Sequence, residues 1–123
     1  MVQRLRRRYD TALPLLAPGA PSLAHLHTTY TALRDIYPEV GDALRVLRQL
    51  VLERLVVLDC EQQASLHTIT QSMTVLAEFA LDKALQEACL RIDLRHGAPM
   101  TAQGVRAQLW VVGMGKLGAS ELN

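Results

Sequence analysis

The sequence predicts a mainly α protein, a helical segment that leads into one β-strand and a glycine turn. Three observations carry that expectation. Apolar residues recur every three or four positions across residues 22–35, 42–59 and 66–96. Capping or breaking residues bound these stretches. Only one run, Leu109-Trp110-Val111-Val112, reads as a strand, and it feeds directly into Gly113-Met114-Gly115-Lys116-Leu117-Gly118.

Residues 1–21 read as a basic arm or an irregular N-terminus. Arg4, Arg6, Arg7 and Arg8 open it, and Pro14, Pro18, Gly19 and Pro21 then break any regular pattern. A weak helix or a disordered arm both satisfy this composition, with the arginines solvated on a frayed end. An anionic partner for them is the alternative.

Ser22 can cap a helix over residues 22–35, and Pro38 ends it because the residue before a proline avoids the helical region. His25 and His27 lie two positions apart on that helix and point in different directions, so they suit solvated or partly packed roles rather than a shared metal. Over residues 42–59, Leu44, Leu47, Val51, Leu55 and Leu58 form an apolar face, with Arg45, Arg48 and Arg54 on the others.

The third helix is the longest. Ser65 or Thr68 caps it, it runs over residues 66–96, and Gly97 supplies a left-handed stop. Ile69, Met73, Leu76, Ala80, Ala84, Ala88 and Ile92 draw one stripe, which Ala77, Leu81, Leu85 and Cys89 widen. A stripe that wide needs more than one covering neighbour. At 1.5 Å per residue the helix spans about 45 Å, longer than a compact domain of this size needs. The expectation is a piece of something larger. His67 suits the start of this helix and His96 its C-terminal dipole, without a ligand role for either. A turn-rich loop then leads to the strand, residues 108–112. A lone strand leaves its backbone donors and acceptors without partners, so these are expected beyond residue 123 or on another chain.

Composition narrows the function classes. With 123 residues, half of them hydrophobic, one core is the limit. The net charge is +1 with its 13 cations dispersed, so neither nucleic acid nor an anionic membrane is an expected partner. No apolar stretch approaches the 18 to 20 or so residues of a membrane span. Cys60 and Cys89 lie among apolar residues with no signal peptide ahead of them, which fits reduced core or boundary thiols and a cytoplasmic location.

The glycine string remains to be weighed. A P-loop requires Ser or Thr after its lysine, and Leu117 stands there instead. A dinucleotide turn fits the glycine spacing but needs a further helix, strand and acidic residue. A plain strand-to-helix turn, with glycines permitting positive φ, also fits.

The longer string, in which Glu121-Leu122-Asn123 follows Gly118 after two residues, closely resembles the G-M-G-K-L-G-G-x-E-L-N motif of the glutamate-ammonia-ligase adenylyltransferase family. These are bifunctional enzymes that attach AMP to glutamine synthetase and remove it. Leu44-Arg45-Val46-Leu47-Arg48 is similar to the family's L-R-x-x-R helix. Met73-Thr74-Val75-Leu76-Ala77-Glu78 is similar to its S-x-L-A-[DE] helix, and Arg95-His96-Gly97-Ala98-Pro99 to its R-H-G-x-P loop. The resemblance covers about residues 42–123. Ala119 and Ser120 depart from it, standing where Gly and often Arg are usual.

The resemblance implies residues 22–100 as a helical segment and 101–123 as the start of a DNA polymerase β-like nucleotidyltransferase domain, α+β in the full-length enzyme. It further implies the N-terminal, AMP-removing copy of two tandem domains, present here as a truncated or separately encoded fragment. Gly113, Gly115 and Gly118 would let main-chain N–H groups approach phosphoryl oxygens, and Lys116 would add a point charge. Glu121 and Asn123 would cap and orient the next helix. No catalytic residue falls in this chain: an S-S-D-x-D run beyond Asn123 would bind Mg²⁺, so the fragment alone should be inactive. ATP, ADP and phosphate are the implied substrates or products, and glutamine synthetase and a PII signalling protein the implied partners. The alternative is a non-catalytic helical module that binds one of those two proteins through its long helix.

Overall fold

A computed structural model describes residues 2–122. Four helices follow in order, α1 (Val2–Arg8), α2 (Leu23–Ile36), α3 (Val40–Cys60) and α4 (Leu66–His96), with a 3-10 turn, Leu13–Leu15, between the first two. α3 is the hub, packing on each of the other three, and α2 also touches α4. Its Leu47, Leu50 and Val51 are fully enclosed, together with Leu26 and Leu33 of α2. Leu76 and Phe79 close the core from α4. Burying such side chains contributes about 1.5–3 kcal/mol each, which makes this triangle the main source of cohesion.

The caps set most of the helix ends. The Ser22 hydroxyl accepts the His25 amide at 3.3 Å, starting α2. Tyr37, before Pro38, turns to φ −121° and ψ 91° and ends it. The Ser65 hydroxyl accepts the Thr68 amide at 3.1 Å at the head of α4, so the cap is Ser65. Gly97, at φ 80°, stops α4 where the glycine rule placed the end. α3 begins two residues before the sequence expectation, because its N-cap is Glu39, which makes no side-chain cap hydrogen bond. Glu39 reaches instead to Arg91 of α4 at 3.1 Å.

The N-terminal region departs from the expectation of a frayed or irregular arm. Residues 2–8 take the first of the two alternatives, a short helix, but it is docked. Ala12 and Leu16 are buried in the core. Arg6 Nε donates to Glu53 Oε1 at 2.7 Å. The Thr29 hydroxyl donates to the Leu15 carbonyl at 3.0 Å, and Arg54 to that of Leu16 at 3.2 Å. Pro14, which reads as a breaker, pre-sets φ at the start of the 3-10 turn.

Two further expectations, the strand at 108–112 and a core or boundary place for Cys60, are corrected. The segment 108–112 forms no strand: among the described residues the only bridge pairs Met100 with Arg106. A strand needs a partner edge, and the helices that precede it offer none. Leu109, Trp110, Val111 and Val112 are all exposed. The long stripe of α4 is covered only in its first half, and beyond Phe79 no residue of α4 is buried. Inside that first half, Thr70, Ser72 and Thr74 are buried beside Leu76 and Phe79. Their hydroxyls donate to carbonyls of their own helix, which removes the cost of enclosing them. Cys60 is exposed rather than core, while Cys89 is half-buried.

Candidate functional site

The chain leaves α4 at Gly97, makes a tight turn and runs back along the same helix. The turn is closed by Thr101 N to Val105 O at 2.8 Å and Ala107 N to Pro99 O at 2.8 Å, with Gly104 at φ 76°. Arg106 then pairs with Asp93 of α4. The Arg106 guanidinium is held even more firmly charged than usual, first by its hydrogen bond to Asp93 and next by Cys89. Residues 107–116 are exposed, and Leu117 and Leu122 are half-buried.

The glycine string folds into a compact turn. Ala119 N donates to Gly115 O at 2.9 Å, Ser120 N to Leu117 O at 3.2 Å and Glu121 N to Lys116 O at 2.8 Å. Its three glycines have separate reasons. Gly115 sits at φ +59°, in the left-handed region, with open space where a Cβ would be. A Cβ on Gly118 would lie 2.6 Å from the Gly113 carbonyl oxygen, so these two glycines are backbone against backbone. Gly113 also faces the Leu117 side chain, at 3.1 Å from a Cβ built there. That mutual contact is invisible in the spacing, which shows glycines but not which of them touch. Ala119 does not have a positive φ; Ser120 does, at 59°.

The arrangement offers donors rather than acid–base chemistry. As at the start of any helical turn, the first amides have no i−4 carbonyl to bind. Those of Gly115, Leu117 and Gly118 make no hydrogen bond among the described residues. Such a row of main-chain N–H groups suits an oxyanion. Lys116 is exposed on the same turn. Glu121 is exposed and contributes its amide to closing the turn. Asn123 lies outside the described residues. Among those residues no group of three or more His, Cys, Asp or Glu is placed to hold a metal ion.

Between the returning segment and the outer half of α4 lies an open cleft of about 980 Å³, lined by Leu81, Leu85, Trp110, Val111, Gly113 and Gly118 among others. Two residues that sequence reasoning missed fasten its ends, Arg106 by its ion pair and Thr74, whose hydroxyl accepts the Leu122 amide at 3.3 Å. Neither has a local signal, since each acts on a segment far along the chain.

Comparison with known proteins gives the family of the chain. The family model described as Glutamate-ammonia ligase adenylyltransferase matches residues 2–123. The bifunctional glutamine synthetase adenylyltransferase/adenylyl-removing enzyme of Chromobacterium violaceum is 46% identical over 91 residues, 72% of this chain and 10% of that enzyme. The enzyme of the same name from Aromatoleum aromaticum is 32% identical over 129 residues, 99% of this chain and 14% of that enzyme. The Bordetella pertussis enzyme is 40% identical over 81 residues, 65% of this chain and 9% of that enzyme. The chain thus spans a small part of the length of the curated relatives it matches. No solved structure matches it significantly. With the match running from the docked N-terminal helix to the glycine turn, the chain belongs to the glutamate-ammonia ligase adenylyltransferase family.

Proposed function

We propose that this chain supplies the helical approach and the phosphate-facing turn of the adenylyl-removing half of a bifunctional nucleotidyltransferase acting on glutamine synthetase. The observation that carries the reading is the glycine turn. Its backbone contact leaves no room for a side chain at 118, and the amides of Gly115, Leu117 and Gly118 make no hydrogen bond among the described residues. In the proposed reaction an oxygen of inorganic phosphate attacks the adenylyl phosphorus. The bond from phosphorus to the tyrosine oxygen breaks, the phenol regains its proton, and ADP leaves. The amides of Gly115, Leu117 and Gly118 orient phosphoryl oxygens, and Lys116 offsets their charge. Magnesium would belong to carboxylates past residue 123, with ATP the substrate of the separate AMP-attaching activity, which releases pyrophosphate, and no step through the metal is assigned to this chain. Glutamine synthetase is the proposed substrate, a PII signalling protein the proposed regulator, and the cytoplasm the proposed location. No helix of the described residues is long and apolar enough to cross a membrane.

The experiment incubates adenylylated glutamine synthetase with magnesium, phosphate and either the 123-residue chain or a longer chain that continues through the expected aspartates, and follows ADP. ADP from the longer chain alone is the expected result. ADP from the 123-residue chain overturns the division of labour, and none from either overturns the assignment to the adenylyl-removing half.

A second reading rests on the outer half of α4, where Leu90, Ile92 and Leu94 are 61%, 58% and 89% exposed. It makes the chain a helical module that binds glutamine synthetase or a PII protein without catalysis. Calorimetric titration of each protein with the wild type and with Leu94→Glu discriminates it: tight binding lost in the variant favours this reading.

A further inference from the structure

We infer that Thr74 is a positioning residue for the glycine turn, its buried hydroxyl latching the exit of the turn onto α4. Thr74 is 2% exposed, although threonine in a core helix position offers nothing that valine does not, apart from its oxygen. That oxygen is used twice. It donates to the Thr70 carbonyl at 2.9 Å, which fixes the hydroxyl proton on the helix and turns a lone pair outward. It then accepts the Leu122 amide at 3.3 Å. Thr70 and Ser72, buried on the same helix, make only the first kind of bond among the described residues.

The place of the latch along the chain gives it leverage. Leu122 follows directly on the bond from Glu121 N to Lys116 O that closes the turn. At the other end of the returning segment, Arg106 holds Asp93. Positions 74 and 93 of α4 are about 28 Å apart along the helix axis. Between the two clasps, residues 107–116 are exposed and lend the turn little packing. The Arg106 pair is partly solvated, and exposed ion pairs hold weakly. The hydroxyl, by contrast, is enclosed, and it is the fastening next to the glycines. The consequence for phosphate rests on the function proposed above, whereas the latch itself does not.

Hydrogen exchange tests the latch, read by mass spectrometry with residue-level fragmentation on the 123-residue chain as wild type, Thr74→Val and Thr74→Ser. Valine keeps the shape and removes the oxygen; serine restores the oxygen. The expected result is a protected Leu122 amide in the wild type, exchange roughly fivefold faster in the valine variant, and recovery with serine. Ala119 and Glu121 should follow Leu122, while the amides of Leu76 and Phe79 stay unchanged. An unprotected Leu122 in the wild type overturns the inference, as does equal protection in wild type and Thr74→Val. If valine loosens α4 as a whole, the wild-type protection of Leu122 and its retention with serine decide the matter. In the longer enzyme, Thr74→Val should raise the KM for phosphate severalfold, and Thr74→Ser should return it. An unchanged KM beside a loosened Leu122 overturns the positioning role. A wild-type longer enzyme that releases no ADP counts against the proposed function, and leaves the latch to stand or fall on exchange alone.

Discussion

Replacing Gly118 by alanine should open the glycine turn while leaving the helical core intact. The new Cβ would sit 2.6 Å from the Gly113 carbonyl oxygen and 3.1 Å from its carbon. Both are backbone atoms, which no rotamer change can move aside. Reaching an ordinary 3.4 Å contact requires the two segments to separate by about 0.8 Å. The three bonds that close the turn, at 2.9, 3.2 and 2.8 Å, span this same region and must stretch with it. Forced overpacking of this kind costs about 1–3 kcal/mol, or roughly a 5- to 150-fold rise in local opening. The assay is amide exchange at Ala119, Ser120 and Glu121. The melting temperature of the helices serves as control, because the turn lies outside the core formed by α2, α3 and α4. Gly115→Ala is the companion variant: it meets nothing within 4 Å, so its cost is confined to the left-handed φ, about 1 kcal/mol. Unchanged protection at 119–121 in Gly118→Ala would refute the close-contact account of this glycine.

Other predictions concern the bundle and its exposed face. Leu50→Ala should destabilise the fold by about 2–5 kcal/mol in denaturant titration, since Leu50 is fully enclosed at the hub helix. Thr29→Val, which leaves the Leu15 carbonyl without its donor, should cost about 1–2 kcal/mol and free the N-terminal segment to early proteolysis. Gly41→Ala should be neutral or stabilise by about 0.5 kcal/mol in the same titration, because the site is helical, exposed and open around the new methyl. Trp110, the sole tryptophan and 77% exposed, should emit like indole in water and be readily quenched by acrylamide in the 123-residue chain. The same chain should self-associate or bind an apolar dye, with Val111, Val112 and Met114 exposed beside Trp110; a monomer with cooperative melting and no dye binding would contradict this.

The parts of the fold legible in the sequence are those written locally. Ser22, Pro38, Ser65 and Gly97 each act on their own helix end, and α4 runs between the last two as expected. The start of α3 was not legible, because Glu39 spends its carboxylate on Arg91, 52 positions away, and not on a cap. The docking of the N-terminal segment was hidden for the same reason: Arg6 meets Glu53 and Leu16 meets Arg54 across the fold. Periodicity marked the stripe of α4 but could not tell which half finds cover. A continuous apolar run marked 108–112 as a strand, yet strand formation depends on a partner edge that a local pattern does not contain. Of the candidate site, the glycines were legible as a turn; the contact of Gly113 with Gly118 and the latch of Thr74 on Leu122 were not, since both depend on how the segment folds back.

The central claim is that the glycine turn places phosphate for adenylyl removal, and phosphate-dependent ADP release by the longer enzyme tests it most directly. The comparison is wild type, Lys116→Ala and Gly115→Val at saturating adenylylated glutamine synthetase. The account predicts that Gly115→Val loses more activity than Lys116→Ala, because a branched side chain at φ +59° both strains the turn and crowds the approach of phosphate to its amides. Wild-type ADP release by Gly115→Val would contradict it and leave the three glycines with a purely structural role.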